Sequence, residues 1–148
     1  GKGDGATHWN AALGQRPNCL GFAADDAHLR PEHPGWNGGW IVVNAAECSS
    51  EALIAAIRAG NFYSSCGPEL RSITLEGDGL HLVTSPVQFA RLVGPKSLGA
   101  RIGSFNGSTY TDVRMPIPEG WDYVYAEVED RSGRRAWTNP LFTVDTPS

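Results

Sequence analysis

Asp25-Asp26-Ala27-His28 follows directly on the apolar run Cys19-Leu20-Gly21-Phe22-Ala23-Ala24, so a carboxylate and an imidazole stand two residues apart where a buried strand should end. Side chains at i and i+2 of an extended segment point the same way, which lets Asp26 and His28 converge on one divalent ion. In parallel α/β barrels the groups that do chemistry project from the carboxyl ends of strands. Asp26 and His28 are therefore the candidate metal ligands. The plainer alternative is a polar loop start in which the aspartate makes a turn hydrogen bond. No catalytic residue is assigned.

Few other residues offer to complete such a site. His33, in Pro31-Glu32-His33-Pro34, is near enough in sequence to assist, but its Pro and Gly neighbours predict an exposed loop, and Glu32 shares that reading. His8 and His81 read as surface or helix-face residues. Cys66 has no histidine or basic neighbour in sequence to depress its thiol pKa, so it reads as packed rather than nucleophilic. Trp36 and Trp40 flank a Gly-rich loop, where they either line a pocket or pack the loop down.

The elements that must position these residues fall into two halves. Residues 1–66 read as α/β. A helix is expected over 6–13 with Trp9 and Leu13 on one face, then a strand over 19–24, unbroken in apolarity as a strand covered on both faces would be. Trp40-Ile41-Val42-Val43-Asn44 is a second strand. Ser49 is a good N-cap for the next helix, Glu51 sits in its first turn, and Leu53, Ile54 and Ile57 form the stripe expected to be buried. Gly60 ends it as the C′ residue.

Residues 67–148 alternate apolar and polar positions in short runs between turns, with strands expected over 70–75, 80–84, 87–93, 110–115, 123–128 and 135–144. In the fifth, Val124, Ala126 and Val128 face one side and Tyr123, Tyr125, Glu127 and Glu129 the other, the pattern of a half-solvated sheet. Glu76-Gly77-Asp78-Gly79 and Asp130-Arg131-Ser132-Gly133 read as hairpin turns. The fold class expected is α+β: a partial β/α segment followed by an antiparallel, immunoglobulin-like β-sandwich. Trp121, Tyr123, Tyr125 and Trp137 are expected to pack in its core rather than form an aromatic binding strip.

Composition excludes several functions. The 148 residues carry a net charge of -4 with no basic cluster, which argues against nucleic acid, whose binding rests on basic contacts to phosphates. No apolar stretch approaches the ~20 residues of a membrane helix, and the polar opening Gly1-Lys2-Gly3-Asp4-Gly5 has no signal-peptide pattern. The three cysteines, Cys19, Cys48 and Cys66, are odd in number and show no CxxC spacing, so neither a disulfide framework nor a structural zinc site is expected. Reduced thiols and a cytoplasmic location are the expectation.

Four segments, in order, carry a resemblance: Gly21-Phe22-Ala23-Ala24-Asp25-Asp26-Ala27-His28, the apolar strand ending in Asn44, Ile57-Arg58-Ala59-Gly60-Asn61-Phe62-Tyr63-Ser64-Ser65-Cys66-Gly67-Pro68, and Arg135-Ala136-Trp137-Thr138-Asn139-Pro140-Leu141. Together they resemble the C-terminal part of PHP-superfamily (polymerase and histidinol phosphatase type) metal-dependent phosphoesterases with an appended β-sandwich. The resemblance implies a distorted β/α barrel holding two or three divalent ions (Zn, Mn or Fe) and acting on a small phosphorylated substrate. The family's late D-x-H motif falls on Asp26 and His28, and Asp25 is not a matched ligand but a supporting neighbour. The family's early H-x-H motif has no counterpart, since the histidines are His8, His28, His33 and His81. The expectation is thus a C-terminal fragment of a metal-dependent hydrolase, inactive alone and possessing two ligand positions. Strand edges left unpaired by missing barrel strands would favour a homodimer. The competing reading is a non-enzymatic β-sandwich interaction module that dimerises through its α/β segment.

Overall fold

A computed structural model describes residues 5–32 and 35–142. Helix α1 (Ala6–Leu13) is followed by a long irregular stretch, strand β1 (Trp40–Val43), helix α2 (Ser50–Arg58) and strand β2 (Phe62–Ser65). Eight further strands follow: β3 (Leu70–Glu76), β4 (Gly79–Val87), β5 (Phe89–Val93), β6 (Gly99–Gly103), β7 (Tyr110–Pro116), β8 (Tyr123–Glu129), β9 (Arg135–Thr138) and β10 (Leu141–Phe142).

The strands form two antiparallel sheets. The larger runs β1-β2-β9-β8-β5-β6, with β10 also on β8, and the smaller runs β3-β4-β7. Their facing side chains make one core. Tyr63, Ala90, Leu92, Val124, Ala126, Val128 and Ala136 from the larger sheet meet Leu70, Leu80, Leu82, Val87, Val113 and Met115 from the smaller, with Trp121 among them. This is the face-to-face packing of a sandwich. The chain changes sheet between β4 and β5 across a single residue, Gln88, whose N–H donates to Glu129 O and whose side-chain amide donates to Ser104 O. The register shift between Val83 and Val87 supplies the bend.

Local chemistry explains the elements that came out as expected. Ser49 Oγ accepts from Ala52 N and caps α2, with Glu51 in the first turn and Arg58 in the last. The hairpins at Gly77 and Gly133 put those glycines at φ +60° and +77°, a region that costs a side chain dearly. Asp130 closes the second, its Oδ1 accepting from Ser132 N and Arg134 N.

Several expectations are corrected. Residues 19–24 form no strand. They run alongside β2 but are held by side chains instead of a backbone ladder, because Ser64 and Asn139 reach the amides that a neighbouring strand would otherwise pair. The stripe on α2 is only partly covered: Ile54 is 50% exposed, while Ala56 is the buried position. β2 and β6 were not anticipated as strands. One sheet also spans the division expected after residue 66, since β2 pairs with β9, and β1 pairs antiparallel with β2. No parallel strand pair occurs among the described residues.

The second face of β8 is not solvated either. Tyr123 and Tyr125 are buried with Leu13 beneath α1, flanked by Trp9, Cys19, Val93 and Trp137. Trp9 and Tyr125 lie 4.6 Å apart, and Tyr125 donates its hydroxyl hydrogen bond to Asn10 Oδ1. Tyr123, Tyr125 and Trp121 are thus core residues, and Trp137 packs against them.

Candidate functional site

The extended segment 19–24 crosses the outer face of β2 and β9. Ala23 N–H donates to Ser64 Oγ at 2.9 Å, and the same hydroxyl donates to Gly21 O at 2.9 Å. Gly21 N–H donates to Asn139 Oδ1 at 3.0 Å, while the Asn139 amide donates to Gly60 O and Phe62 O. Ser64 and Asn139 are buried, so both hydroxyl and amide exchange water for these partners. Gly21 is required: a Cβ there would come within 2.9 Å of the Trp9 ring.

Where the segment ends, Asp25 turns back onto the following loop. Its carboxylate accepts from Asn37 N–H at 2.8 Å, Gly38 N–H at 2.6 Å and Gly39 N–H at 2.8 Å. These amides, that of Gly39 most of all, stabilise the ionised form and hold the carboxyl below its ordinary range. Gly39 packs so tightly on Ala24 that a Cβ would meet the Ala24 carbonyl oxygen at 3.2 Å.

Asp26 and His28 sit on this loop. Asp26 adopts φ +50°, and its side chain is 98% exposed against 58% for His28. His28 Nε2 lies 4.0 Å from Asp26 Oδ2. The two candidate ligands are therefore side by side and open to solvent. They remain a pair: no group of three or more His, Cys, Asp or Glu suited to a metal occurs among the described residues.

The other candidates are placed elsewhere. His33 lies outside the described residues, and Glu32 is exposed in a turn. His8 is exposed on α1. His81 stands on the smaller sheet with Nδ1 3.2 Å from Glu76 Oε1 and Nε2 3.2 Å from Asp112 Oδ1, so a carboxylate occupies each ring nitrogen. Cys66 Sγ accepts from Arg135 N–H at 3.0 Å and donates to Arg135 O at 3.2 Å, which ties the thiol to backbone. Trp36 is 65% exposed, whereas Trp40 is half-buried in β1.

A cleft of about 730 Å³ opens between α1, residues 20–24 and the face of β2 and β9, with Trp9, Phe22, Ser64, Cys66, Arg135 and Trp137 in its walls. Behind it lies an ion network that sequence reasoning missed. Arg91 bonds Glu127 at 2.6 Å and Glu129 at 3.0 Å, Arg135 bonds Glu129 at 3.1 Å, and Trp137 Nε1–H donates to Glu127 at 2.8 Å. Two cations thus balance two carboxylates across β5, β8 and β9. The available signal was the cross-strand spacing of Glu127 and Glu129 opposite Arg91 and Arg135. Asp26 and His28 do not line the cleft.

Compared with protein-family models, with curated proteins and with solved structures, the chain finds no match.

Proposed function

We propose that this chain is the C-terminal part of a PHP-type metal-dependent phosphoesterase and supplies Asp26 and His28 to a divalent metal centre. The observation that carries the reading is the D-x-H pair itself, two donors 4.0 Å apart on a loop that points them outward. Donors about 2.0–2.2 Å from one ion lie roughly 3.0–3.5 Å apart, so closing the pair by less than about 1 Å makes the two compatible with a shared ion. The remaining donors must come from outside the described residues. The chemistry such a centre supplies is activation of a bound water and stabilisation of charge on the leaving oxygen; this chain's own contribution is to hold the two donors in place.

A second observation supports the reading. The segments that carry the family resemblance, although far apart in sequence, meet: Gly21 bonds Asn139 and Ala23 bonds Ser64. The competing interaction-module reading draws on exposed apolar side chains at Phe22, Leu29 and Trp36 near the same loop.

Calorimetric titration with Zn²⁺ tests the proposal. A weak site should be present in the natural chain and lost in both Asp26→Ala and His28→Ala, with no turnover of a generic phosphomonoester by this chain alone. Equal Zn²⁺ binding in all three proteins would remove the ligand roles. A tight dimer in sedimentation, with no Zn²⁺ site, would favour the interaction module.

A further inference from the structure

Strand β6 is an edge of the larger sheet, opposite the edge formed by β1, and it pairs only with β5. Gly94 N–H donates to Leu98 O and Ser104 N–H to Gln88 O. By antiparallel alternation the bonded pairs between them are Leu92 with Ala100 and Ala90 with Ile102. Gly99, Arg101 and Gly103 therefore turn their N–H and C=O groups away from β5, where no strand follows among the described residues. The Gly103 carbonyl meets the Tyr110 hydroxyl at 3.4 Å.

The outer face beside this edge is aromatic and cationic. The Phe89 ring lies over Gly103, where a Cβ would come within 2.2 Å of it, and meets the Phe105 ring edge-on at 5.3 Å. Phe105 is 80% exposed, held out by a turn in which Asn106 Oδ1 accepts from Ser104 Oγ at 2.6 Å and from Ser108 N–H at 3.0 Å. The Arg101 guanidinium stands 5.3 Å from the Phe89 ring and 5.6 Å from the Phe105 ring. Arg101 is directly opposite Arg91, and like charges so placed are destabilising. Glu127 and Glu129 neutralise Arg91 and Arg135, whereas Arg101 has no carboxylate partner among the described residues. The cation left over on this face is thus the one at the open edge.

We propose that the β6 edge takes up an extended acidic peptide as an added antiparallel strand. Main-chain hydrogen bonds to the outward groups of Gly99 and Arg101 supply affinity, and alternate side chains of the peptide supply specificity. A carboxylate opposite Arg101 provides the missing counter-charge. The residue two places before it in the peptide falls opposite Gly103 on the same face, where a large apolar side chain packs against the Phe89 and Phe105 rings. The pattern selected is apolar-x-acidic. A second copy of this chain is the poorer occupant, because two β6 strands paired about their centres would set Arg101 against Arg101.

The test titrates the blocked peptide Thr-Thr-Phe-Thr-Glu-Thr-Thr into the natural chain, Arg101→Glu and Phe105→Ala, followed by amide-resolved nuclear magnetic resonance. Both substituted side chains are exposed, so the fold should survive. Saturable shifts centred on the Gly99, Arg101 and Gly103 amides are expected in the natural chain. Arg101→Glu should weaken binding on the order of tenfold at low salt, since an attraction becomes a repulsion. Phe105→Ala should weaken it by about twofold to tenfold. A second peptide with Lys in place of Glu should reverse the preference, binding Arg101→Glu more tightly than the natural chain. That exchange separates recognition from a residue that only guards the edge, whose loss would strengthen both peptides alike. Equal binding of the Glu and Lys peptides by the natural chain would overturn the acidic partner. Absence of shifts at β6, or shifts there that grow with protein concentration and ignore the peptide, would overturn the proposal, the latter in favour of a second copy.

Discussion

Asn139→Ala tests how the segment that leads into the D-x-H loop is anchored. The side chain is only 6% exposed and makes three hydrogen bonds, accepting from Gly21 N–H at 3.0 Å and donating to Gly60 O at 3.2 Å and Phe62 O at 3.0 Å. A net value of about 1 kcal/mol for each gives about 3 kcal/mol lost on truncation. For a chain near this length that corresponds to a fall in melting temperature of roughly 6–12 °C. Ser64→Ala removes the other two bonds to the segment and should cost about 2 kcal/mol. Because both residues hold the same short stretch, the double variant should lose less than the sum, by about 0.5–1 kcal/mol. Urea denaturation followed by tryptophan fluorescence reads all three. A loss below about 1 kcal/mol in Asn139→Ala, or strict additivity with Ser64→Ala, would refute the account of residues 19–24 as a side-chain-tethered segment.

Other perturbations probe the support beneath it. Arg91→Ala leaves Glu127 and Glu129, both largely buried, short of a cation, and should cost about 3 kcal/mol in chemical denaturation; a change near zero would mean the network adds nothing to stability. Gly94→Ala would push a Cβ to 2.2 Å from the buried Trp121 ring, and a destabilisation of about 3 kcal/mol or failure to fold is expected. Burial pushes the phenols of Tyr63 and Tyr123 above their ordinary value of 10.0. The folded state therefore favours the protonated phenols: their contribution is intact below pH 10 and is lost as pH rises through the folded values. Phenolate absorbance should show these two ionising together with loss of the sheet signal; their titration at pH 10 with the sheet intact would contradict this.

Much of the sheet was legible because its signals are local. Alternation over 110–115 and 123–128 marked β7 and β8, and the Ser49 cap with Gly60 bounded α2. What escaped depended on contacts distant in sequence. Residues 19–24 have the composition of a buried strand, yet their partners are a serine hydroxyl 41 residues on from Ala23 and an asparagine amide 118 residues on from Gly21. Neither can be read from an apolar run. Phe62-Tyr63-Ser64-Ser65 lacks the alternation of a half-exposed strand because all four residues are buried, with Ser64 and Ser65 satisfied by hydrogen bonds. Tyr123 and Tyr125 obey the period of two, but whether their face meets water or α1 is decided by the placement of Trp9 and Leu13. For the site, the strand end from which Asp26 and His28 were expected to project is absent, since residues 19–24 form no strand and Asp26 stands at φ +50°; their 4.0 Å approach is made by the loop. The clasp at Asp25 was not legible either, since its donors are backbone amides 12 to 14 residues away and carry no residue-type signature beyond two glycines.

The most direct measurement for the metal-ligand reading is the effect of Mn²⁺ on the histidine ring protons of the natural chain. His28 is open to solvent beside Asp26, whereas both nitrogens of His81 are occupied by carboxylates and His8 has no such pairing with an acid among the described residues. The His28 ring should broaden first, well ahead of His8 and His81. Equal broadening of the three rings, or His81 leading, would contradict the metal-ligand reading.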